Sequence, residues 1–86
     1  MLDQNKLLNL IADDLKVCRE AAKKLHPTDM AGKDRNILEI STLTAHLAWA
    51  QRAGTDQAEL ERIVHSLETN VLLRGYQRWR EMCETH

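Results

Sequence analysis

The sequence predicts an all-α protein, a three-helix antiparallel bundle with a long C-terminal helix. Three observations carry this. Apolar residues recur at helical spacing through most of the 86 residues. Two breaker segments, around Pro27–Gly32 and at Gly54, divide that periodicity into three parts. The composition, 43% apolar and 29% charged, suits one folded helical domain covering residues 1–86 and not a disordered chain.

The first helix is expected over about residues 3–25. Leu8, Ile11, Leu15, Cys18, Ala22 and Leu25 step by three and four residues, the spacing of a helix-packing seam. Asp3 has the chemistry of an N-cap, and Lys23 and Lys24 place cations where a helix C-terminus favours them. His26-Pro27 ends the helix, because the residue before proline is pushed out of the α region. Residues 26–34, HPTDMAGKD, read as the loop, with Asp34 as the cap of the next helix.

The second helix is expected over about 35–53, with Gly54 ending it. It is apolar on two sides. Ile37, Ile40, Leu43, Thr44, Leu47 and Ala50 form one face; Leu38, Ala45 and Trp49 form another, turned by more than about 100°. A helix with two apolar faces is either the central helix of the bundle or meets a second chain.

The third helix is expected over about 56–84. Thr55 or Asp56 caps it, and Asp56 with Glu59 has capping-box spacing. Leu60, Ile63, Val64, Leu67 and Val71 form its first stripe; Leu72, Tyr76, Trp79 and Cys83 form a second, rotated one. Gly75 lies just past the change and opens the helix to kinking. At about 1.5 Å per residue this helix would outrun the second by about 15 Å. The overhang, about residues 75–86, carries Tyr76, Trp79 and Cys83, which would then need cover from the first helix, the loop or another molecule.

That overhang coincides with "LLRGYQRWR", which holds Arg74, Arg78, Arg80, the only Tyr and one of two Trp. Tyr, Trp and Arg combine large buried area with directional donors, as interface anchors do. The plainer expectation is that Tyr76 and Trp79 pack inward while the arginines are solvated. The candidate interface residues are Leu38, Trp49, Leu72, Arg74, Tyr76, Arg78 and Trp79. A chain this short, without Phe, builds a thin core, which adds the expectation of a homodimer.

Composition and spacing point away from other classes. A net charge of −1 offers no general attraction for nucleic acid or an anionic membrane. No apolar run approaches the roughly 20 residues of a membrane span, and acids interrupt the N-terminal apolar stretch, so a cytoplasmic location is the expectation. Cys18 and Cys83 lack CxxC spacing and fall on apolar stripes, as buried thiols do. His26, His46, His65 and His86 have no ligand-type neighbour at i+4, so no metal, cofactor or small-molecule substrate is implied, nor an enzyme.

Residues 47–67, LAWAQRAGTDQAELERIVHSL, resemble the helix-turn-helix pattern of repressors. Ala50, Gly54, Leu60 and Ile63 match its small, turn-glycine and buried apolar positions. The resemblance implies a DNA-binding regulator. Thr55 departs from the pattern, and the would-be recognition helix presents Asp56, Glu59 and Glu61, which DNA repels. The reading this supports first is a small non-enzymatic protein-binding module, an adaptor, inhibitor or regulator. A DNA-binding regulator and a structural subunit of a larger assembly are the alternatives.

Overall fold

The computed structural model describes residues 1–70 together with Leu73, Trp79 and Glu81. Among these residues it is all-helical: α1 (Gln4–Lys23), α2 (Met30–Ala53) and α3 (Gln57–Glu68).

Each helix starts on an aspartate. Asp3 accepts from the amides of Asn5 and Lys6, as its position in the sequence suggested. Asp56 accepts from Ala58 N and Glu59 N. α2 corrects the sequence reading: it begins at Met30, not near residue 35, and its cap is Asp29, not Asp34. The Asp29 carboxylate folds over the first turn to accept from Gly32 N at 2.9 Å. A Cβ at Gly32 would collide with that carboxylate. Gly32 therefore belongs to the helix start and not to a longer loop. α2 ends at Gly54, whose φ of 60° and ψ of −128° suit glycine and strain other residues.

Cross-bonds set the helix directions. Gln4 Nε2, at the start of α1, donates to Ala50 O near the end of α2 at 3.0 Å. Asn36 Nδ2, early in α2, donates to Cys18 O, late in α1, at 2.9 Å. α1 and α2 are therefore antiparallel. Trp49 bonds Glu59 and His46 bonds Ser66, so α2 and α3 run antiparallel as well. α2 packs against both neighbours and is the central helix. The chain start is clamped to α3 by a two-way bond: Leu2 N donates to Gln57 Oε1, and Gln57 Nε2 donates to Leu2 O, both at 2.8 Å.

The core joins all three helices. Leu7, Ile11, Leu43, Leu60, Ile63, Val64 and Leu67 are enclosed, each worth about 1.5–3 kcal/mol by burial. The expected α3 stripe is buried from Leu60 to Leu67. On α1, Ile11, Leu15 and Cys18 are buried as expected, but Ala22 is exposed and Leu7 joins the core. On α2 the stripe is turned from the expected one: Asn36, Glu39, Leu43 and Ala50 face inward, while Ile37 and Thr44 face out.

The largest correction concerns α3. It stops at Glu68 instead of running to residue 84. Thr69 is the C-cap; its hydroxyl donates to His65 O and Ser66 O at 3.0 and 3.1 Å, and Asn70 N donates to Leu67 O. These bonds occupy the carbonyls that a continuing helix would use. The kink considered at Gly75 lies outside the described residues.

α3 is therefore the short helix, 12 residues against 24 in α2, or roughly 18 Å against 36 Å. With Ser66 opposite His46, α3 ends near the level of Thr44, and α2 from Met30 to Leu43 has no α3 beside it. Yet Asp14, Cys18, Asn36, Glu39 and Leu43 are all buried at that end. Two helices side by side touch along one line and cannot enclose both flanks. Of the described residues after α3, Leu73 and Trp79 are buried, Trp79 with 0% exposure, and belong to the same core, so they are the ones able to supply the cover.

Replacing Trp79 by Ala should cost about 3–5 kcal/mol, as emptying a core aromatic site does. Urea unfolding measures it. The same experiment on Ile37→Ala, at an exposed α2 position, should move stability by no more than about 0.5 kcal/mol.

Candidate functional site

Two surface regions and one buried cluster carry the residues with functional potential. The first region is the amino-terminal half of α2. Met30, Ile37 and Leu38 are 63%, 60% and 56% exposed. Asp34, Ile37 and Leu38 line a shallow depression there. Leu38 and Trp49 are eleven residues apart, so they share nearly one helix face, about 16 Å apart along the axis. They differ because α3 reaches only one of them. Trp49 is half-buried, its indole donating to Glu59 Oε2 at 2.7 Å, while Leu38 lies beyond the end of α3.

The second region is the groove between α2 and α3, lined by Trp49, Ala58, Glu61, Arg62, His65 and Ser66. His46 crosses beneath it. Its Nδ1 lies 2.7 Å from Thr42 O and its Nε2 lies 2.8 Å from Ser66 Oγ. A carbonyl oxygen only accepts, so Nδ1 carries a proton and donates. Trp49 flanks the imidazole, with ring centroids 5.9 Å apart. Asp56 accepts from Glu59 N as the capping-box spacing suggested, while the Glu59 carboxylate holds Trp49 across the groove and Arg62 on its own helix.

The buried cluster lies between α1 and α2. Glu39 is 1% exposed, and Cys18 Sγ donates to its Oε2 at 3.4 Å. Asn36 and Asp14 are buried beside them in the helix register. A carboxylate taken out of water is tolerated only when held by donors. Cys18 thus has a defined polar neighbour as well as the apolar packing its stripe predicted. Asn36 and Glu39 also line a pocket of about 290 Å³ with Leu25, Gly32 and Arg35.

The structure places the expected interface residues in three situations. Leu38 is open and Trp49 is half-covered by α3. Trp79 is enclosed by its own chain, as the inward-packing expectation has it. Leu72, Arg74, Tyr76 and Arg78 lie outside the described residues, as does Cys83. Sequence spacing pointed to none of Ile37 exposed, Glu39 buried or His46 joined to Ser66; each depends on which helix lies opposite.

Among the described residues, no group of three or more His, Cys, Asp or Glu is arranged to hold a metal ion. No helix there is long and apolar enough to cross a membrane. His46 and Ser66 also bear on the helix-turn-helix resemblance. They stand eight residues before and twelve after Gly54, roughly 12 and 18 Å along their axes. Helices meeting at a right angle would hold them roughly 20 Å apart. Their 2.8 Å bond requires α2 and α3 to lie nearly antiparallel, whereas helix-turn-helix pairs open to about 90–120°. No family model, no curated protein and no solved structure matches the chain.

Asn36→Ala should destabilise the fold by about 1–2 kcal/mol, because it removes a buried amide that donates to Cys18 O. Thermal unfolding of the variant checks this; no change would mean that the bond does not hold the α1–α2 register.

Proposed function

We propose that this protein is a small helical docking module that acts by binding another protein, occluding or bridging it without catalysis. One observation carries the reading. Met30, Ile37 and Leu38 stay more than half exposed on α2, while the same helix encloses Asn36 and Glu39 beside them. Adjacent apolar side chains left open on a monomer, as Ile37 and Leu38 are around one depression, mark contact surfaces more often than scattered ones do. Leu38 is the candidate interface residue of the sequence reading that stays open, while Trp79 is buried in the core.

A partner protein is favoured over a second copy as the occupant. Three side chains are a small patch beside the roughly 800 Å² per partner of a stable interface, so a homodimer would need much more of this surface. The near-antiparallel α2–α3 pair weighs against the DNA-binding alternative.

The double variant Ile37→Glu, Leu38→Glu tests the proposal. Both positions are exposed, so the unfolding free energy should change by no more than about 0.5 kcal/mol. Capture from a lysate with the wild-type protein immobilised should retain a defined protein that the variant loses. Equal retention by both would contradict the reading. Sedimentation of the purified wild type should give a monomer; a dimer abolished by the variant would make a second copy the occupant and overturn the choice of partner.

A further inference from the structure

We propose that Ser66 is a site of covalent acylation, accepting an acyl group from an activated ester with His46 as its built-in general base. This goes beyond docking and uses a different region, the groove between the later part of α2 and α3.

The geometry is that of a nucleophile and an oriented base. Thr42 O accepts from His46 Nδ1 at 2.7 Å and so fixes the tautomer of the neutral ring. The lone pair is then on Nε2, and Ser66 Oγ, 2.8 Å away, donates its proton into it. A third group holding the base is the feature that separates an activated serine from an ordinary one. Here a backbone carbonyl fills that place. The Trp49 ring, 5.9 Å from the imidazole, restrains it from one side.

The surroundings admit a small acyl donor. The groove at Ser66 is shallow and open to solvent, so a small acyl donor can approach it. Trp49 and Ala58 give it an apolar wall, suited to an aromatic leaving group, and Ser66 itself lines it. Ser66 is partly exposed, so the hydroxyl is reachable.

The step balances. Ser66 Oγ bonds to the acyl carbon as its proton passes to His46 Nε2. The bond from the acyl carbon to the aryl oxygen breaks, and the departing aryloxide recovers the proton from His46. The products are an ester on Ser66 and a phenol, with His46 neutral again.

The test uses para-nitrophenyl acetate on the whole chain, with peptide-resolved mass spectrometry over time. The chain has one other serine, Ser41, which is exposed on α2 and serves as an internal reference. Hydroxylamine treatment separates serine esters, which it removes, from lysine amides, which it leaves. General-base assistance is worth about a hundredfold or more, so Ser66 should acetylate at least about a hundredfold faster than Ser41. In His46→Gln, checked for retained helix by circular dichroism, the Ser66 rate should fall to near that of Ser41. Equal rates for the two serines in the wild type would overturn the proposal without any variant. An unchanged Ser66 rate in folded His46→Gln would overturn it too.

Discussion

The fold rests on a mismatch of helix lengths. α3 is half as long as α2, so α1, α2 and α3 lie together at one end, and at the other only α1 and α2 of these three run on. At the three-helix end, Leu7, Ile11, Leu60, Ile63 and Leu67 close on one another, and ordinary apolar packing suffices. At the two-helix end a flank of the α1–α2 pair would be open to water. Trp79 and Leu73, buried and part of the same core, are the described residues beyond α3 that can close it. The same mismatch leaves the other flank of α2 without cover, which is why Leu38 is open where Trp49, on nearly the same face, is half-covered.

The polar residues between α1 and α2 follow from this arrangement. Where α3 does not reach, the α1–α2 interface lacks the apolar contacts that α3 supplies at the other end. Asn36 bonds the Cys18 carbonyl, and the Cys18 thiol bonds Glu39. These contacts are directional, so they fix the relative register of α1 and α2 where apolar packing alone would let the helices slide. At the other end, Gln57 and Gln4 hold the chain start and the end of α2 through backbone partners.

Local signals in the sequence were legible where the physics is local. Asp3, Gly54 and Asp56 mark helix ends through bonds to, or backbone angles of, residues within three positions. The Leu60–Leu67 stripe is buried because a single face of a short amphipathic helix has one place to go. α2 was harder, since a helix with neighbours on two sides has no single apolar period, and Asn36 and Glu39 do not announce their burial. Gly32 looked like a loop residue because its role, admitting the Asp29 carboxylate, appears only in three dimensions. Thr69 ends a helix whose first apolar stripe continues to Val71 in the sequence. Of the candidate sites, Leu38 was visible as an unmatched apolar position. The His46–Ser66 pair was not, since twenty residues and two helices separate its members.

The central claim is that Trp79 closes the two-helix end from within the same chain. Trp49→Phe leaves Trp79 as the only tryptophan, so fluorescence then reports on Trp79 alone. The account predicts blue-shifted emission and little quenching by acrylamide in the native protein, both lost in urea. Red-shifted emission with efficient quenching under native conditions would place Trp79 in water and contradict it.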